Sequence, residues 1–95
     1  MLRFEWDKEK DEINQKKHRM GFETAKLVFD DPHCLTFVER VEDGEERWHA
    51  IGVLDGRTMV TVVHTYRLAG PDDIIRIVSA RRADAQERKL YADAL

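Results

Sequence analysis

One cysteine, two prolines and five glycines are all that this 95-residue chain holds of the residues that most sharply crosslink or punctuate a fold. The lone Cys34 excludes an internal disulfide and a cysteine-cluster metal site, and it fits a reducing compartment, so a cytoplasmic protein is expected. With glycine so sparse there is no phosphate-cradling loop, and no nucleophile elbow occurs. The four histidines, at 18, 33, 49 and 64, lack the spacing of a zinc-binding helix motif, so neither metal nor cofactor is expected. No apolar run approaches the length of a membrane span, and the opening MLRFEWDKEKD lacks the apolar stretch of a signal peptide; no membrane partner is expected. Repeats, low-complexity tracts and linker-like segments are missing too, and the length suits one modest core, so residues 1–95 read as a single domain.

Charge is plentiful, at 37% of residues, and unevenly spread. The net value is −3, yet from Arg76 to the end five Lys/Arg face three Asp/Glu, a local +2 that leaves −5 on the rest. An acidic total argues against tight, sequence-independent nucleic-acid binding driven by counterion release. It favours a brief enzymatic encounter, or a partner that is itself basic.

The apolar pattern predicts a short strand over Leu2–Trp6 and a helix capped by Asp7. Acids Glu9, Asp11 and Glu12 open that helix and Lys16, Lys17, His18 and Arg19 close it, complementing its dipole at both ends. Its only apolar residue is Ile13, so packing should rely on the flanking Trp6 and Met20. A second helix follows from Phe22 to about Phe29, stopped by Asp30-Asp31-Pro32. Four strands are expected at His33–Val41, Arg47–Leu54, Arg57–Leu68 and Ile74–Arg81. Asp43-Gly44 and Asp55-Gly56 form tight hairpins and Ala69-Gly70-Pro71-Asp72 a longer connection. A last helix begins near Asp84, with Ala83, Leu90, Tyr91 and Ala94 on one face. The order β-α-α-β-β-β-β-α predicts an α+β fold with an antiparallel meander.

Strict alternation along the last strand sets Ile74, Arg76, Val78 and Ala80 against Ile75, Ile77, Ser79 and Arg81. Polar groups gather toward strand ends, at Arg47, His64, Arg67, Arg76 and Arg81, as an enzymatic site at one end of the sheet would. Arg76, Arg81 and Arg82 form a cluster that nothing local neutralises, of the kind an anionic phosphate substrate needs. Each residue also has a plainer reading. His64 suits a half-buried strand histidine as well as a proton-transfer group. Arg47, beside Glu45 and Glu46, suits a surface ion pair. Lys17-His18 suits a dipole complement, Arg88 and Lys89 a solvated helix face, and the two tryptophans core or partner contacts. Arg76, flanked on its face by Ile74 and Val78, needs either an internal glutamate or a ligand.

At this point the residues resemble the BrnT family, ribonuclease toxins of bacterial type II toxin–antitoxin modules. The matching pieces are Phe4-Glu5-Trp6-Asp7; Asn14 with Lys17-His18; Phe22, Ala25, Val28-Phe29 and Asp31; Glu45 and Arg47 with Ile51-Gly52; and Ile75 to Arg81 with Ala83, Glu87-Arg88 and Tyr91. The chain departs from the family pattern after Lys17-His18, where Arg19-Met20-Gly21 displaces the usual glycine. The resemblance implies a RelE-like fold, endoribonuclease activity that arrests growth, and an antitoxin with a ribbon-helix-helix DNA-binding domain. It also implies that toxin and antitoxin together repress their operon, the toxin reaching operator DNA only through its partner. For attack of a ribose 2′-OH on the adjacent phosphate, Arg67, Arg76 and Arg81 are candidates for charge stabilisation. Arg47 and Arg82 are candidates for substrate binding, and His64, or His18 with Lys17, for proton transfer. The competing readings are a non-catalytic module of the same fold that only binds its antitoxin, and a generic adaptor, which would need an exposed apolar patch rather than clustered arginines.

Overall fold

A computed structural model describes residues 2–69 and 72–95. Its elements are β1 (Arg3–Trp6), α1 (Lys8–His18), α2 (Phe22–Ala25) continuing as a 3₁₀ turn over Lys26–Asp30, β2 (Leu35–Glu42), β3 (Glu45–Leu54), β4 (Thr58–Ala69), β5 (Asp72–Arg82) and α3 (Ala85–Asp93). The α+β order expected from the sequence is the order found; of the expected third connection, Gly70-Pro71 lies outside the described residues. Strands β2 to β5 form an antiparallel meander, and β1 joins its end in parallel with β5, giving the sheet order β1-β5-β4-β3-β2. Both short turns have positive φ at both central residues, 52° and 77° at Asp43-Gly44 and 53° and 68° at Asp55-Gly56. That is the twist-matched hairpin geometry Asp-Gly favours.

One face of the sheet carries α1, α2 and the 3₁₀ turn. Phe22, Ala25 and Val28 pack there against Ala50, Leu54, Val60, Val62, Ile75, Ile77 and Ala80. The layers meet closely at Gly52, where a Cβ would stand 2.9 Å from both the carbonyl oxygen and a methyl of Val28. Among the described residues the other face receives α3 alone, whose capping box pairs Asp84 with Glu87. The residues α3 buries are Glu87 and Tyr91, whereas Leu90, expected on the packed face, is 42% exposed. Tyr91 Oη donates to Asp31 Oδ2 (2.7 Å), which also accepts the Val53 N–H (2.8 Å), so one carboxylate ties α3 to β3 and to the turn before β2.

The flanking Trp6 and Met20 pack against the core as expected, and α1 itself adds a polar contact that the apolar pattern does not show. Ile13, its one aliphatic residue, is 55% exposed. The buried residue is Asn14, whose Nδ2 donates to the carbonyls of Ala80 (2.8 Å) and Met20 (2.9 Å) while its Oδ1 accepts the Ala80 N–H (3.1 Å). The β1–β5 ladder ends at Ile77, so this amide serves the β5 edge where strand pairing stops. The helix begins as expected, with Asp7 accepting the N–H groups of Glu9 and Lys10, and ends at Arg19 in the left-handed conformation (φ 56°, ψ 35°), its N–H on the Gln15 carbonyl. A side chain in that conformation is strained, and glycine is the residue that adopts it without cost. Arg19→Gly should therefore stabilise the protein by roughly 1 kcal/mol, a rise of several degrees in Tm. A Tm unchanged or lowered in calorimetry would show that the turn stores no strain.

Candidate active site

In the β4–β5 ladder Val63 faces Ser79 and the next pair is His64 with Ile77, so Val78 is an extra, bulged residue. Simple alternation put Arg76 and Arg81 on opposite faces; the bulge resets the period and brings them onto one. Arg76 lies opposite Thr65 and Arg81 opposite Thr61, two residues of the same face of β4, while Ile75, Ile77 and Ala80 enter the core behind. The face away from α1 thus carries Arg67, Arg76 and Arg81, with Glu5 opposite Arg76 and with Arg47 and His49 on β3. The cations do not gather at one end of the sheet, as expected. Thr61 and Thr65 are separated by roughly 13 Å of strand, so the arginines form two lobes.

In the first lobe Glu5 takes Arg67 bidentately, Nε to Oε1 at 2.8 Å and Nη2 to Oε2 at 3.0 Å. Arg76 Nη1 stands 3.9 Å from the same Oε1. The Arg67 hydrogen bonds hold the Glu5 carboxyl below the ordinary carboxylate range against a desolvation that pushes it up, with the charges of Arg67, Arg76 and Arg3 assisting. Arg47 lies near this end of β3, 3.4 Å from Glu42 and 3.7 Å from Glu45. Of the two acids beside it in sequence, Glu45 pairs with Arg47, while the closer partner, Glu42, comes from β2.

The second lobe is centred on Glu87. Arg81 grips it with Nη1 to Oε1 at 2.7 Å and Nη2 to Oε2 at 2.9 Å, so the sequence expectation that nothing local neutralises this arginine does not hold. Burial pushes the Glu87 carboxyl up, but the Arg81 pair and the Asp84 N–H overcome it and hold the pKa at about 2, so the group stays ionised at neutral pH. His49 Nδ1 is 3.8 Å from Glu87 Oε2, and its ring lies 5.6 Å from that of Phe37. These residues line a cleft of about 340 Å³ with Leu90. His49 is a candidate that the sequence reading passed over. Its signal was its place on the strand face shared with Arg47, but the carboxylate beside it comes from α3, 38 positions further along.

Lys17 and His18, in the last turn of α1, line a second cleft of about 500 Å³ with Asn14, Ser79 and Arg81, on the far side of Arg81 from His49. Arg82 is exposed opposite Val60, on the helix-bearing side of the sheet and apart from both lobes. His64 also points to that side. It is wholly buried among Phe29, Trp48 and Tyr66, their ring centroids 5.1, 6.4 and 5.1 Å away, and neither ring nitrogen has a hydrogen-bond partner. Burial, with the charge of His49 adding, lowers its pKa to about 4. The geometry is that of a neutral core histidine, separated from the arginines by the sheet.

A further cavity of about 540 Å³ is walled by Asp30, Asp31, Asp55 and Tyr91; its carboxylates would repel phosphate, so size does not choose the site. Among the described residues no three His, Cys, Asp or Glu side chains converge to hold a metal ion, and no helix is long and apolar enough to cross a membrane.

Residues 6–87 match the family model for the ribonuclease toxin BrnT of type II toxin–antitoxin systems. A search of the curated proteins gave no match. Among solved structures, the crystal structure of the Brucella abortus ribonuclease toxin BrnT matches with a TM-score of 0.67 at 21% identity, over 88% of this chain and 99% of that one. At that identity the likeness speaks for the fold.

The His64 environment has a measurable consequence. Its folded pKa of about 4 lies below the unfolded value of roughly 6.5, so between them the unfolded chain binds the extra proton. Its contribution to stability is intact above pH 6.5 and declines as pH falls toward 4, by roughly 1–3 kcal/mol. His64→Phe should remove that part of the pH dependence in denaturant titrations between pH 7 and 4. An unaltered slope would show that His64 is solvated or paired.

Proposed function

This chain belongs to the BrnT family of ribonuclease toxins of type II toxin–antitoxin systems, and we propose that it is a metal-independent endoribonuclease using the arginine-bearing sheet face. The observation that carries this reading is the Val78 bulge, which brings Arg76 and Arg81 onto the one sheet face that also holds Arg67 and His49, open between β1 and α3. An RNA backbone lying along that face meets guanidinium groups at two places, and these favour the negative charge that develops on phosphorus during 2′-OH attack.

Arg76 and Arg67 serve the phosphate in one lobe, and Arg47 binds the neighbouring backbone. In the other, Arg81 is held rigid by Glu87, and His49, 3.8 Å from the same carboxylate, shuttles the proton. Lys17 and His18 bind the strand where it leaves the sheet beside Arg81. His64 and Arg82 have no part in this scheme. The partner is an antitoxin with a ribbon-helix-helix domain; the pair represses its own operon, with the antitoxin supplying contacts to operator DNA and the acidic toxin supplying none. RNA and antitoxin would be met in the cytoplasm.

A second reading is favoured by one observation. Arg67, Arg76 and Arg81 all face internal carboxylates, which a module that only binds its antitoxin would also show. Inducible expression in a bacterium with mapping of RNA 5′ ends separates the two. Wild type should create new ends and arrest growth, and a folded Arg76→Ala variant should lose both by orders of magnitude. Soluble, antitoxin-free wild type that creates no ends would leave the binding module as the account. With purified protein, His49→Gln should cut roughly 100-fold or more slowly and lose a limb of the pH–rate profile; an unchanged profile would remove His49 from the chemistry.

A further inference from the structure

The Arg67 donors that should receive a substrate phosphate in the first lobe are already taken, and Arg76 lies within ion-pair distance of the same acid. Arg67 turns both Nε and Nη2 onto Glu5, and Arg76 Nη1 points at the same carboxylate from 3.9 Å. Two parallel N–H···O bonds from one guanidinium to two oxygens of a planar or tetrahedral oxyanion are the shared recognition geometry of carboxylates and phosphates. The side chains are accessible: Arg67 is 59% exposed and Arg76 42%, so an anion arriving from solvent reaches the same donors. Glu5 itself is anchored in β1 opposite Arg76, in a ladder that fixes its Cα whatever its side chain does.

We propose that the Glu5 carboxylate is an internal stand-in for an RNA phosphodiester, filling the anion position between Arg67 and Arg76, and that RNA binds this subsite by displacing it. The inference rests on the RNA-binding reading of this face but not on the chemistry of cleavage. Glu5 is held ionised by its arginines, so the incoming phosphate competes with a full negative charge rather than with a group that protonation removes. When phosphate replaces it, Glu5 swings away and the two guanidiniums exchange one anion for another. The consequence is selective. A lone phosphate gains little over the carboxylate already present, whereas a strand that also engages Arg47 and the Arg81 lobe gains enough elsewhere to open the subsite. Glu5 therefore acts as a positioning residue that aligns the arginines when the face is empty and weakens binding of short or isolated anions.

The test is the affinity of the intact protein for a 2′-O-methyl RNA oligonucleotide, which cannot be cut through its 2′ oxygen, measured across salt concentrations. Glu5→Gln keeps the shape and removes the charge; it should bind several-fold tighter than wild type, with a salt dependence steeper by about one phosphate contact. Arg67→Ala should bind more weakly, and adding Glu5→Gln to it should recover less than the gain seen in wild type. Should Glu5→Gln fold poorly, Glu5→Asp, which withdraws the carboxylate by one methylene, should tighten binding by a smaller factor. Affinity unchanged or reduced in the folded glutamine variant overturns the proposal, as does binding by none of the proteins. Cleavage of unmodified RNA is scored separately. Wild type that cuts while Glu5→Gln gains no affinity keeps the nuclease and loses the stand-in; wild type that cuts nothing while the variant gains affinity does the reverse.

Discussion

The amide of Asn14 is the contact on which the candidate site depends. Strand β1 is only four residues long and releases β5 after Ile77. Beyond that point the β5 edge would present unpaired backbone groups to the interior, a cost of about 1–3 kcal/mol for each group left unsatisfied. Asn14 supplies a donor and an acceptor to Ala80 in place of a strand, and its second donor reaches Met20 at the turn out of α1. The same bonds fix how α1 lies along β5, and hence that Lys17 and His18 border the cleft beside Arg81. Two residues before Ala80, the Val78 bulge turns the strand period over. Bulge and amide together decide that Arg76 and Arg81 share a face while Ala80 stays in the core.

Electrostatically the face is a set of compensated cations. Glu5 reaches it from β1 and Glu87 from α3, elements at opposite ends of the chain that serve one face because β5 lies between β1 and β4 and α3 folds back over the sheet. The two pairs differ in kind. Glu87 is nearly buried, is bonded by Asp84 as well as by Arg81, and is part of the capping of α3, so it belongs to the framework. The Glu5 pairs are open to water and to salt, and an ion pair of that kind contributes little to folding. A pair that adds little to stability yet holds two exposed guanidiniums is better placed to serve binding. The two acids offset the guanidiniums they meet, so the face carries less net positive charge than its arginines alone would give it.

Much of the fold was legible in the sequence because its signals are local. Asp-Gly twice between β-branched runs dictates hairpins, and Asp7 and Asp84 mark helix starts through hydrogen bonds to residues two or three positions on. Family resemblance was likewise carried by short pieces in order, and the family match over residues 6–87 agrees with it. The candidate site was legible by residue type more than by arrangement. Arg67, Arg76 and Arg81 were named from their chemistry, but their partners Glu5 and Glu87 were not. His64 drew attention as a histidine among strands, although its alternation gave it the core face of β4; His49, one face over, was the better placed of the two.

The sequence by itself determined which segments become strands and helices, where the turns fall, and that cations would be concentrated near the end of the chain. Those depend on side-chain period, capping and backbone preference within a few residues. Only the tertiary structure decided where β1 joins the sheet, which face each arginine occupies after the bulge, and which carboxylate each one meets. A one-residue bulge leaves no mark in an alternating apolar pattern, yet it inverts every side chain beyond it. Contacts such as Glu5 with Arg67 are chosen by the packing of elements far apart in the chain, and no local preference encodes them.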